Sequence, residues 1–183
     1  LESVFEARGN ENFRKILFLQ YGNDECKRIV DRYSNQIDTF IGSQPSGTTV
    51  DARITNNRLA GLFIGFEFWK SKYVISLEDD VVIAGDTLEF VESSFQNYSK
   101  EARFRGVNLG SKIPYSESEN TTFSLLRYGM HGPASMMTRR TWDKLKVAKL
   151  MKHDKIIFDA QVEFLLKSGF MVTPNNSRYM DLG

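Results

Sequence analysis

The sequence has one cysteine, Cys26, so no disulfide can form within the chain, and its cysteine content says little about redox compartment. It holds two histidines, and no Cys-x-x-Cys, His-Glu-x-x-His, Gly-x-Ser-x-Gly or Walker-type lysine loop. Those absences argue against structural zinc, zincin proteases, serine hydrolases and P-loop enzymes. There is no apolar run of the ~18 residues that a membrane-spanning helix needs, and no signal-peptide pattern. Charge of neither sign dominates: 24 basic residues face 23 acidic ones, which implies no bulk pull towards nucleic acid. Internal repeats, low-complexity tracts and a second-domain linker are also lacking. What is left is 183 residues of ordinary globular composition, which suits one domain with one sizeable core.

The stretch that orders the rest is Tyr73-Val-Ile-Ser-Leu77, followed directly by Glu78-Asp79-Asp80. A short apolar run with β-branched members, bounded by Lys72 and by acids, reads as a buried strand of a parallel sheet. Carboxylates at its carboxyl end sit where open α/β sheets bind ligands. Adjacent anions repel one another unless a cation, a basic side chain or water neutralises them. Hard divalent cations such as Mg²⁺ or Mn²⁺ take such oxygen ligands, often with phosphate oxygens completing the shell. The bland alternative is a solvated acidic turn.

Further strands are expected at 15–20, 37–41, 105–109, 135–138 and 170–173. Helices are expected at 24–33, 54–69 and 86–98, from Thr138 through Leu150, and at 156–167. Asp24, Asp86 and Thr138 read as helix caps, with Glu89 completing a capping box. Leu59, Leu62, Phe63, Phe66 and Trp69 form an apolar stripe, widened by Ile64 and Phe68, which predicts a largely buried helix. Residues 110–122 are polar and turn-rich and read as a mobile loop. Alternating strands and helices with short connections predict an α/β fold, with a mostly parallel sheet and helices on both faces. Residues 1–183 are read as one such domain, and as a fragment truncated at both ends, because the opening residues resemble the last turns of a helix stopped by Gly9. Asn97, Asn120 and Asn175 begin N-x-Ser/Thr sequons, a number close to chance that establishes no secretory route.

Taken together, these stretches resemble the GT-A glycosyltransferases, in particular the N-acetylglucosaminyltransferase I and protein O-mannose N-acetylglucosaminyltransferase group. Leu77-Glu-Asp-Asp80 resembles the group's Asp-x-Asp-type motif. Phe18-Leu-Gln20 resembles its second strand, which ends at the nucleotide. The segment from Gly129 through His131 and Gly132 to Thr138-Arg-Arg-Thr-Trp142 resembles its glycine-rich stretch. Phe158-Asp159, then Pro174-x-x-Ser177-Arg178 and Gly183, resemble its Trp-Asp … Pro-x-x-Ser-Arg … Gly run.

The resemblance implies a GT-A, Rossmann-like domain lacking its first strand, a UDP-sugar donor and a divalent cation, Mn²⁺ or Mg²⁺. Asp80 is then the metal ligand, with Asp79 and Glu78 on the ribose and the donor sugar or on metal-bound water. Asp159 is the general base that takes the proton from an acceptor hydroxyl, as an inverting displacement needs. Gln20, Asp24 and Arg58 fall to the nucleotide, and His131, Gly132 and Arg178 to the acceptor or a closing loop. The acceptor is a glycan or glycoprotein; no nucleic acid and no membrane contact within this chain are expected. The compartment is the Golgi lumen, through a tether outside this chain, with the cytoplasm as the alternative. Two other functions compete: another metal-dependent nucleotide-using transferase, and a degenerate GT-A domain that binds a glycan or a partner. Ala160, where the group has a second acid, favours the latter.

Overall fold

The structure, a computed structural model, describes residues 1–20, 24–43, 50–111, 122–126, 133–147 and 169–182. A short helix α1 (Glu2–Glu6) ends near Gly9, whose φ of 79° is left-handed. Strand β1 (Ile16–Gln20), helix α2 (Asp24–Tyr33) and strand β2 (Thr39–Ser43) form a βαβ unit with the two strands parallel. Helix α3 (Val50–Phe63) continues into a π-helical turn (Ile64–Phe68). Then come β3 (Tyr73–Leu77), β4 (Val81–Ile83), α4 (Thr87–Tyr98), β5 (Phe104–Asn108) and β6 (Phe123–Leu126). The last described elements are β7 (Ala134–Thr138), α5 (Arg139–Val147), β8 (Phe170–Pro174) and β9 (Tyr179–Asp181). Among the described residues no helix is long and apolar enough to cross a membrane.

The central sheet has five strands in the order β3-β7-β5-β8-β6. The strand period of two gives it two apolar faces. Met136 and Met137 are neighbours in β7, yet they belong to different core clusters, as do Met171 and Val172 in β8. Met136, Val107 and Val172 pack with Leu88 and Val91 of α4. Met137 and Met171 pack with Leu62 of α3, Phe66 of the π turn, and Trp142 and Leu145 of α5. Full burial of a side chain such as Leu62 or Phe66 contributes about 1.5–3 kcal/mol. Phe66 stacks on Trp142 with ring centroids 5.6 Å apart. The buried indole N–H of Trp142 finds its acceptor in Glu67, at 2.6 Å.

The α/β class and the helices on both faces match the sequence expectation. Strand direction does not follow it throughout. In the five-stranded sheet β5–β8 is parallel, and the other three ladders are antiparallel. The β3–β7 and β6–β8 pairs are antiparallel although α4 and α5 stand between their strands, so alternation of strands and helices does not by itself fix direction. Among the described residues no ladder joins the β1–β2 pair to β3.

Three local expectations are corrected. Phe63 and Phe68 are 52% and 80% exposed, because Phe63 lies about 100° round the helix from Leu62 and the π turn shifts the phase after it. Asp86 occupies the N-cap of α4 but makes no capping bond. Its carboxylate pairs with Arg178 at 2.7 Å, and Glu89 pairs with Arg8 at 2.8 Å, so charged partners from distant segments replace the capping box. Thr138 does cap α5, accepting from the Thr141 N–H at 3.3 Å. Asn175 is 4% exposed and accepts from Ser124, so that sequon is closed in the fold, whereas Asn97 is exposed on α4. The helix expected at 156–167 and most of the 110–122 loop lie outside the described residues.

Candidate functional site

Strand β3 delivers the acids. Its ladder with β7 ends at Leu77↔Ala134, and the Glu78 N–H extends it by donating to the Pro133 carbonyl at 2.8 Å. The chain then turns through Asp79 and Asp80 into β4. Strand β9 runs antiparallel to β4, with Asp181 opposite Val81, and the Leu182 N–H donates to the Asp80 carbonyl at 2.9 Å. Pairing across a hundred residues of sequence therefore sets Asp181 beside the acidic turn. Asp79 is exposed, while Glu78 and Asp80 are partly buried. Asp80 Oδ1 is buried and has no hydrogen-bond partner among the described residues.

Arg58 enters from α3. Its guanidinium donates to Ser135 Oγ at 2.8 Å, and Ser135 is the ladder partner of Ser76. Strand alternation puts Val74, Ser76 and Glu78 on one face, the face that α3 covers. A cationic group thus stands one strand repeat before the acids.

Tyr179 of β9 lies against Gly110, just past β5; a Cβ on Gly110 would sit 2.9 Å from its ring. A Cβ there would force the ring to move. Burial pushes the Tyr179 phenol up from its ordinary value, and Asp181, Glu78 and Asp80 push it the same way. All three carboxylates therefore act on one hydroxyl, which stays protonated at neutral pH.

Arg178 frames the site. Besides pairing with Asp86, its guanidinium lies over the Phe90 ring, 5.3 Å from the centroid. Its N–H donates to the Leu109 carbonyl at 2.7 Å, and its carbonyl accepts from the Ala84 N–H and the Thr87 hydroxyl, both at 2.8 Å. Arg178 ties β9 to the starts of α4 and to the end of β5, and its charge is engaged there rather than at Glu78–Asp80. Ser111 adds a second tie by donating to the Asn175 carbonyl at 2.6 Å.

Of the residues singled out in the sequence, the structure groups Glu78, Asp79, Asp80 and Arg58, with Arg178 holding the strand beside them. Gln20 ends β1 and Asp24 starts α2, on the separate two-stranded sheet. Asp24 is exposed, and the Gln20 side chain, like Asp159, His131 and Gly132, lies outside what is described. Tyr179, Asp181 and Gly110 do not stand out in the sequence, because β9 is three residues long and its place beside the acids is set by pairing with β4.

The implied cation fits in one respect: Asp80 offers an unpartnered carboxylate oxygen. Among the described residues no group of three or more His, Cys, Asp or Glu side chains could hold a metal. A cation here would draw most of its shell from phosphate and water, as Mg²⁺ commonly does at phosphate sites.

No family model matches the sequence, and no curated protein matches it. A solved structure of apo UDP-glucose pyrophosphorylase is similar, with a TM-score of 0.53 over 99% of this chain and 79% of that one, at 10% identity. The chain has a GT-A-like, Rossmann-like α/β fold, and that enzyme is one of its structural neighbours.

Proposed function

We propose that this chain is a metal-dependent, inverting glycosyltransferase that moves a sugar, N-acetylglucosamine by preference, from a UDP donor to an acceptor hydroxyl on a glycan or glycoprotein. The observation that carries the proposal is the unpartnered Asp80 oxygen at the carboxyl end of β3. Asp80 would hold Mn²⁺ or Mg²⁺, which when bound offsets the diphosphate charge and stabilises the leaving nucleotide. Glu78 and Asp79 orient the ribose and the donor sugar. Arg58 adds positive charge on the α3 face of β3. Asp159 takes the proton from the attacking acceptor hydroxyl. His131 and Gly132 are assigned to the acceptor.

A second reading, a nucleotidyltransferase, is favoured by the likeness to UDP-glucose pyrophosphorylase. One experiment separates the two. The full-length protein is given UDP-N-acetylglucosamine and Mn²⁺, with either candidate acceptors or pyrophosphate. Release of UDP supports the glycosyltransferase, and formation of UTP the alternative. In the first case Asp159→Asn should lose turnover while keeping UDP binding; unchanged turnover would remove Asp159 from the role of base.

A further inference from the structure

We infer that Tyr179 is a ligand-contacting residue, whose hydroxyl donates a hydrogen bond to a phosphate oxygen of a nucleoside diphosphate held at Asp80. The inference rests on the metal–nucleotide reading above. Its first support is position. Tyr179 is paired with Ile83 in the β4–β9 ribbon, and the Leu182 N–H of the same segment donates to the Asp80 carbonyl at 2.9 Å. The strand that carries the phenol is thus fixed to the backbone of the proposed metal ligand.

The second support is the state of the hydroxyl. Tyr179 is half-buried, and among the described residues its hydroxyl makes no hydrogen bond. A hydroxyl donor with no partner among the described residues is available to an oxygen that arrives with the ligand. A phosphate oxygen suits it, because hydrogen bonds to charged acceptors are short and strong. The third support is rigidity. The ring is seated on Gly110, where a Cβ would come within 3.0 Å of the hydroxyl oxygen, and Arg178 anchors the residue before it on Leu109, Ala84 and Thr87. A donor fixed in this way loses little entropy on binding.

The test is isothermal titration of UDP and of uridine into the full-length protein with saturating Mn²⁺, for the wild type and Tyr179→Phe. Phenylalanine keeps the ring on Gly110 and removes only the hydroxyl. UDP binding should weaken about 10-fold or more, with uridine unchanged. Equal UDP affinity in the two proteins overturns the inference and leaves the proposed function standing, as does an equal loss for UDP and uridine. A wild type that binds no UDP overturns both. If the variant does not fold, a fluorotyrosine placed at position 179 alone gives the answer. Its ¹⁹F shift should move with Mg²⁺ and UDP but not with Mg²⁺ and uridine, and no movement with UDP overturns the inference.

Discussion

Replacing Asp80 with asparagine should make the metal-free protein more stable and its ligand response weaker. Asp80 Oδ1 is buried with no partner among the described residues, and Glu78 and Asp181 push the Tyr179 phenol the same way as Asp80 does. An unsatisfied buried polar group costs about 1–3 kcal/mol, and partial burial places Asp80 near the lower end. Asparagine removes the charge and brings an N–H₂ that can donate to the neighbouring acids. For a domain of this size about 1 kcal/mol moves Tm by roughly 2–4 °C, so Asp80→Asn should melt that much higher in chelator. With Mn²⁺ and UDP at about 100 times Kd, the wild type should gain ~2.7 kcal/mol, or roughly 5–11 °C. The variant should gain almost nothing, and the order of the two melting curves should reverse. Scanning calorimetry with chelator and with Mn²⁺·UDP reads both quantities. A variant that melts lower in chelator, or that shows the full ligand shift, refutes the reasoning.

Glu67 supplies a pH test away from the site. The Lys146 ammonium, then the Trp142 indole, hold its carboxyl below the ordinary value of 4.5. A depressed pKa contributes stability that is fully present above the unfolded value and lost as pH falls through the folded one. Melting temperature below about pH 4.5 should therefore fall more steeply for the wild type than for Glu67→Gln; parallel curves would contradict this. Gly65→Ala places a Cβ 2.5 Å from Val74 Cγ2, at the contact between the π turn and β3. Overpacking of this kind costs about 1–3 kcal/mol, to be read as a lowered urea midpoint, and an unchanged midpoint would show that the helix shifts freely on the sheet.

The part of the fold that sequence reveals is the part with a local signal. Tyr73 to Leu77 is mostly apolar and ends abruptly in acids, so the strand and the acidic turn after it are legible, but among the described residues it is half-buried at the end of the sheet and antiparallel to β7, not a buried parallel strand. Strands β5, β7 and β8 are similar runs, and their near-continuous burial explains why they stand out. Strands β4 and β9 are three residues each and gain stability only by pairing across the chain, so nothing local marks them. Tyr179 and Asp181 were missed for that reason: their place beside Asp80 is a property of the pairing, not of their neighbours. Arg178 is assigned from the sequence to the acceptor or a closing loop and Asp86 to a helix cap, yet the two pair, because sequence alone does not decide which acceptor a long side chain reaches. The direction of β7 was likewise hidden, because alternation of strands and helices fixes the layers more firmly than the ladder.

The central claim is that Asp80 and its neighbours hold a cation and a nucleoside diphosphate. Isothermal titration of UDP into the full-length protein, with Mn²⁺ and then with chelator, tests it most directly. Binding is expected with the metal and none, or far weaker binding, without it. No binding in either condition, or equal binding in both, would contradict it and make the acids at 78–80 a solvated turn.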